Sequence, residues 1–295
     1  MPNSLRIARL AFALLCVSIV VCKSPVPGRA EQTTTNSPAA ASNSGRTLWL
    51  SAAGFRLKTK IYKSSKLSDR PALILVLHGD SPFAPPSYQY VFAREAAGQM
   101  DNVIVAALLR PGYADGTGDQ SSGVRGATTG DNYTPAVVDA VAQVLDQLKT
   151  RYKPAATILV GHSGGAAITG NLLGRWPAAA NGALMISCPC DLTAWRKYMD
   201  KKRPNPIWRD PVDSLSPVDL AGKISHDAHI RLLVGSQDDV APPEFTQEFA
   251  TAARPTGADI KVILAPGLPH DILLEPVAYE QLKLLVATVE KDARR

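Results

Sequence analysis

The sequence predicts an α/β protein, a three-layer α/β/α sandwich whose mostly parallel, eight-stranded sheet carries helices on both faces. Three observations lead there. Short apolar runs alternate along the chain with stretches of helical periodicity. Most runs from Ala72 onward are continuously apolar rather than alternating, the pattern of strands covered on both faces. About 250 residues follow Arg46, enough for one large domain that buries roughly three quarters of its unfolded-chain surface.

Taken in order, the runs that read as strands are Leu48 to Ser51, Phe55 to Tyr62, Ala72 to Leu77, Val103 to Leu109, Thr157 to Val160, Ala183 to Ser187, Ile230 to Val234 and Ile260 to Leu264. Between the fourth and fifth, Thr134 can cap a helix with Pro135 at its first position. Val137, Val138, Val141, Val144, Leu145 and Leu148 give that helix one apolar stripe, and Lys149, Arg151 and Pro154 end it. A second helix opens at Gly164, directly after a strand. A third runs from Pro276 through Tyr279, Leu282, Leu285 and Val289 to the charged C-terminus. No internal repeat is visible.

The segment ahead of this domain has a different character. Arg6 and Arg9 precede a thirteen-residue run, Leu10 to Cys22, broken only by Ser18 and followed by Pro25, Pro27 and Gly28-Arg29-Ala30. This is the pattern of a cleaved secretory signal over residues 1–30. The run is shorter than the ~20 apolar residues that span a bilayer, so no stable membrane insertion is expected after cleavage. Export to a periplasm or to the medium follows. Residues 31–45 are mostly Thr, Ser, Asn and Ala and read as a disordered linker, with the folded domain at 46–295. The chain carries 32 Lys+Arg against 26 Asp+Glu, a net +6 that invites a nucleic-acid reading. Beyond Ala30, however, 28 bases face 26 acids, a net of only +2, and no nucleic-acid partner is expected. Cleavage would leave Cys188 and Cys190 as the remaining cysteines. Their Cys-Pro-Cys spacing reads as too tight for an ordinary bridge, so two thiols in or beside the core are expected, with a strained or redox-labile bridge as the alternative.

The most informative segment is Ile158-Leu-Val-Gly-His-Ser-Gly-Gly165, a strand running into Gly-x-Ser-x-Gly and then a helix. A serine on so sharp a turn projects its hydroxyl above the sheet, which makes Ser163 a candidate nucleophile. A serine hydroxyl needs a base to remove its proton, so a histidine and an orienting acid should follow, in the order Ser, acid, His. Asp238 and Asp239 lie in the loop after the strand Ile230 to Val234, and His270 follows the last strand.

With these motifs in place, residues 46 to 295 resemble the α/β-hydrolase fold family. The resemblance implies that Asp238, three residues after the strand-ending Gly235, is the acid rather than Asp239, and that His270 is the base. It also implies an oxyanion hole built from the backbone N–H of Gly164 and an amide after His78-Gly79, the counterpart of the family's His-Gly loop. Here the sequence departs from the common His-Gly-Gly form. Asp80 stands at the donor position, so its carboxylate must point away or be paired, and Ser81 is the fallback donor. His162 reads as packed beside the nucleophile. His226 and His229 read as solvated or satisfied near a strand start, with no metal ligand set evident.

Two further segments attract attention. Gly112 to Gly130 is rich in glycine and holds Asp115 and Asp119, but it lacks the lysine of a phosphate loop and the alternating acids of a calcium hand. It reads as a pocket rim shaped by Arg110-Pro111-Gly112-Tyr113, with Tyr113 a candidate substrate contact. Between Asp191 and Asp227, Trp195, Tyr198, Met199 and Trp208 fit helical core packing or, alternatively, contact of Trp195 with substrate. The expectation is an exported serine hydrolase, a carboxylesterase that forms an acyl-enzyme on a small-molecule ester without metal or organic cofactor. Activity should fall as pH drops through the unperturbed histidine value near 6.5. Two alternatives stay open. Ser216-Pro-Val-Asp-Leu-Ala-Gly-Lys-Ile224 resembles the matching stretch of prolyl-oligopeptidase-like serine peptidases, although 295 residues leave no room for their N-terminal propeller, so a compact peptidase acting on short peptides is one. A non-catalytic binding module is the other, and the filled triad positions count against it.

Overall fold

The computed structural model describes residues 45–126 and 129–293. The expected signal, the expected linker up to residue 44, Cys16 and Cys22 lie outside the described residues. Eight strands form, each within two residues of its expected bounds: β1 (Arg46–Ala52), β2 (Phe55–Lys63), β3 (Ala72–Leu77), β4 (Val103–Leu108), β5 (Ala156–His162), β6 (Gly182–Ile186), β7 (His229–Gly235) and β8 (Asp259–Ala265). They make one sheet in the order β1-β2-β4-β3-β5-β6-β7-β8. β1 pairs antiparallel with β2, and β2 with β4. Every other pairing is parallel.

The continuous apolar runs now have a physical reason. In β3 the side chains of Leu73, Leu75 and Leu77 enter one apolar layer, while Ile74 and Val76 enter the other. The period of two persists, but both faces are dry. Four helices cover the first face: α2 (Pro135–Tyr152), α3 (Gly164–Arg175), α4 (Leu192–Lys202) and α6 (Pro243–Ala253). The second face is covered by α1 (Tyr88–Gln99) and α7 (Pro276–Asp292). A four-residue turn of helix, α5 (Pro217–Leu220), packs beside α3. The α2 start is as its sequence dictates: the Thr134 side chain accepts from the N–H of Val137 at 3.3 Å, and the helix ends on Lys153 in the left-handed region. Among the described residues no helix is long and apolar enough to cross a membrane.

The cysteine expectation is corrected. Cys188 and Cys190 form a disulfide with their Cα atoms 5.1 Å apart. Two residues of extended chain span up to about 7 Å, and a chain short of full extension falls inside the ordinary 4.4–6.8 Å window for bridges. The glycine-rich segment after Arg110 is anchored rather than open. Lys58 on β2, 2% exposed, places its Nζ 2.5 Å from Asp115 and 2.7 Å from Asp119. Burial opposes the Asp115 charge, but hydrogen bonds from Lys58 and Thr117 outweigh it and hold its pKa at about 2.

Candidate active site

The strand order reverses at β3, which has β4 on one side and β5 on the other. In such sheets a crevice opens beyond the carboxyl ends of the strands at that point. The predicted Asp80, Ser163, Asp238 and His270 follow the carboxyl ends of β3, β5, β7 and β8.

Ser163 follows β5 with φ 52° and ψ −121°, a conformation few non-glycine residues adopt. The turn is held from both sides. Its N–H donates to the Ile186 carbonyl on β6 at 2.8 Å, and its carbonyl accepts the first N–H groups of α3 from Ala166 and Ala167. A Cβ on Gly161 would sit 2.3 Å from the Gly165 carbonyl oxygen, so the Gly-x-Ser-x-Gly spacing is dictated by strand and helix crossing in contact.

His270 lies in the loop after β8, with Nε2 3.0 Å from Ser163 Oγ and Nδ1 2.9 Å from both oxygens of Asp238. Asp238 follows β7. Its Oδ1 also accepts the N–H groups of Val240 and Ala241, at 3.0 and 2.8 Å, which fix the carboxylate's direction. A proton on Nδ1 shared with Asp238 leaves Nε2 as the acceptor facing the serine hydroxyl. Asp239 points elsewhere and pairs with Lys202 at 2.6 Å.

The turn after β3 approaches from the opposite side. A Cβ on Gly79 would lie 2.9 Å from the Ser163 Cβ, so only glycine lets the turn come this close. The Gly79 N–H is taken by the Tyr88 hydroxyl, which leaves the Asp80 amide as the donor this turn can offer. The Ser81 hydroxyl is occupied by the Ala84 carbonyl. The Asp80 carboxylate is paired. Arg110, fully buried, donates to Oδ1 at 3.0 Å, while the Tyr133 hydroxyl and the Gly130 N–H donate to Oδ2 at 2.6 and 2.9 Å. Burial works against the Arg110 charge, yet Tyr113, Asp80 and Tyr133 together hold its pKa above the ordinary value. Burial, then the Asp80 charge, pushes the Tyr133 phenol up, so it stays a donor. Gly164, the first residue of α3, has an N–H with no place in the helix ladder. Arg110, Tyr133 and Tyr88 carry no local signal for these roles in the sequence.

The two expected substrate contacts have different surroundings. Trp195 is 3% exposed, donates its indole N–H to the Val240 carbonyl at 2.7 Å and packs edge-on against Trp208, so it belongs to the core under α4. Tyr113 is buried edge-on against His78 with its hydroxyl toward Asp80. It still lines a cleft of about 440 Å³ beside the turn after β3, together with Ser81, Phe83, Gln120 and Arg125. His162, His270 and Asp271 are close enough to hold a metal ion. Both His270 nitrogens, however, are committed to Ser163 and Asp238, which suits proton transfer rather than ligation.

Residues 74–210 match the model of the alpha/beta hydrolase family. No curated protein matches the chain. Among solved structures the chain is similar to Est1E of Butyrivibrio proteoclasticus, determined with ferulic acid bound: 15% identity, TM-score 0.61, covering 81% of this chain and 99% of that one. It is similar to an esterase of Pyrococcus furiosus, at 17% identity and TM-score 0.63, covering 86% and 92%. It is also similar to a puromycin-hydrolyzing peptidase of Mycobacterium tuberculosis, at 15% identity and TM-score 0.67, covering 84% of this chain and 39% of the peptidase. The chain thus spans about two fifths of that peptidase's length.

Proposed function

We propose that this chain is a serine hydrolase of the α/β-hydrolase fold family that cleaves carboxylic esters through an acyl-enzyme. The observation that carries the reading is the unbroken line from Ser163 Oγ to His270 to Asp238, at 3.0 and 2.9 Å. In this mechanism His270 takes the Ser163 proton as Oγ attacks the ester carbonyl carbon. Asp238 holds the ring in the needed tautomer and stabilises the imidazolium. The amides of Gly164 and Asp80 bind the oxyanion, a donor of this kind contributing about 2.7–4 kcal/mol in related enzymes. His270 then returns the proton to the leaving alkoxide. Water, activated by the same nitrogen, releases the acid and regenerates Ser163. The strained Ser163 backbone and the Arg110 pairing of Asp80 support the reading, since both keep the region around the oxyanion site preorganised.

A peptidase is the second reading, favoured by one observation: Asp271, 90% exposed beside His270, is an acid that could hold a substrate ammonium. Aryl esters of increasing acyl length, set against aminoacyl and Xaa-Pro amides, separate the two. Faster amide turnover overturns the ester assignment. Ser163→Ala should abolish both turnover and labelling by a fluorophosphonate; retained turnover refutes the serine mechanism. The basic-then-apolar segment before Ala30 supports export, and secreted material that begins at Met1 would count against cleavage.

A further inference from the structure

His270 comes from the loop after β8, the edge strand of the sheet, where the fold offers the fewest neighbours to hold a catalytic base in register. Its backbone carbonyl accepts the Ile272 N–H of the same loop at 3.0 Å and is gripped twice more from elsewhere in the fold. Ser187 Oγ donates to it at 2.8 Å, and His162 Nε2 lies 3.1 Å from the same oxygen. Both grips come from the ends of the central strands: His162 is the last residue of β5, and Ser187 stands at a bend directly after β6. Ser187 has φ 51°, nearly the value of Ser163 one strand away.

Hydrogen accounting fixes the direction of every bond. The Gly79 N–H can only donate, so Tyr88 Oη accepts it, at 2.6 Å. The Tyr88 hydroxyl proton is then left for His162 Nδ1, 3.1 Å away. A neutral ring that accepts at Nδ1 carries its proton on Nε2, which donates to the His270 carbonyl. Ser187 Oγ and the Ile272 N–H donate to the same oxygen, which thus accepts three hydrogen bonds. The chain needs a neutral ring, and burial, then repulsion from His270, lowers the His162 pKa to about 4.

We propose that Tyr88, His162 and Ser187 are positioning residues that lock the oxyanion turn, the Ser163 turn and the His270 backbone into one register. The proposal rests on the serine-hydrolase reading above. None of the three touches the reacting atoms; they act through Gly79 and the His270 carbonyl.

The test uses the full chain and a short aryl ester, measuring kcat, KM, thermal midpoint and the rate of fluorophosphonate labelling. Ser187→Ala and Tyr88→Phe should each lower kcat about five- to tenfold, the effect of roughly one hydrogen bond, with KM within about twofold. Labelling should slow in parallel but still reach completion. His162→Gln, whose side-chain amide can reach the His270 carbonyl, should keep more activity than His162→Leu. If Tyr88→Phe fails to fold, Ser187→Ala decides alone. Should the folded variants keep wild-type kcat while Ser163→Ala is inactive, the positioning proposal is refuted and the serine reading stands. Losses that merely follow the fraction of folded protein also refute it. Turnover by Ser163→Ala would instead remove the reading underneath.

Discussion

Asp80 is where the sequence departs from the pattern it otherwise resembles, and its pairing with Arg110 makes a quantitative prediction. The Asp80 side chain is 8% exposed and that of Arg110 is 0% exposed. Asp80→Ala therefore leaves a buried guanidinium without its carboxylate, and removes the acceptor of the Tyr133 hydroxyl and the Gly130 N–H. Removing one partner of a buried ion pair costs about 3–5 kcal/mol, a large share of the roughly 5–15 kcal/mol that holds a domain folded. At about 2–4 °C per kcal/mol for a domain of this size, the thermal midpoint should fall by about 6–20 °C. Asp80→Asn keeps an oxygen for Arg110 and should lose less, about 1–3 kcal/mol. Urea unfolding followed by far-UV circular dichroism gives both values. The backbone amide at position 80 survives either change, and Arg110 already offsets the negative charge, so removing that charge should not accelerate ester hydrolysis. A loss under about 1 kcal/mol in Asp80→Ala, or a higher kcat in Asp80→Asn, would refute the argument that Arg110 neutralises this carboxylate.

Other predictions concern the triad, the buried histidine and the disulfide. Asp238→Asn leaves a side chain of the same shape but releases the His270 tautomer; kcat on an aryl ester should fall by about four orders of magnitude, and a loss under tenfold contradicts the assigned role. His162 titrates at about 4 in the folded chain against about 6.5 unfolded. The unfolded state thus binds the extra proton first, and stability is lost as pH falls from 6.5 towards 4. The loss attributable to this ring is about 3 kcal/mol. The groups around it are Tyr88 on α1, His270 and Asp271 after β8, Asp238 after β7 and His78 after β3. Urea midpoints at pH 6.5 and 4.5 should therefore converge in His162→Gln relative to the parent, and an unchanged gap would contradict the assignment. Reduction of Cys188–Cys190 opens a loop of only three residues, so chain entropy limits the cost to about 1–2 kcal/mol. Loss of folding on reduction would show that the bridge does more than close its own loop.

What could be read from the sequence was what is local. Strands β3 to β7 were legible because both of their faces are dry, and a run such as Ala72 to Leu77 cannot be mistaken for a half-solvated strand. Ser163 was legible because the turn that exposes it forces glycine at 161 and 165 within one short segment. Asp238 and His270 were legible once the strands were placed and the family resemblance was added, since each lies in the loop after a strand. α1 was missed because Tyr88 to Gln99 opens without a side-chain cap and its buried face is largely alanine; α6 was missed too, since Pro242 caps it through no side chain. The bridge was misjudged because the Cys-Pro-Cys spacing reads as too tight, whereas its 5.1 Å Cα separation lies inside the ordinary window.

The interactions that make this triad usable were not legible at all, and for a common reason. Asp80 and Arg110 are 30 residues apart, Tyr88 and His162 are 74 apart, and Ser187 and His270 are 83 apart. Each of these pairs joins segments that become neighbours only when the parallel sheet assembles, two strand ends in two cases and the start of α1 with the end of β5 in the third. A motif specifies which atoms react because strain at a turn is a local matter. It cannot specify what holds those atoms still, because a donor and acceptor on different strands leave no shared periodicity. The Ser187 turn shows the difference: its left-handed φ sits in a Ser-Cys-Pro-Cys segment that resembles no motif, yet its hydroxyl meets the same His270 carbonyl as His162. Two strained turns on adjacent central strands, converging on a base from the sheet edge, mean that the precision of the edge loop is borrowed from the middle of the sheet.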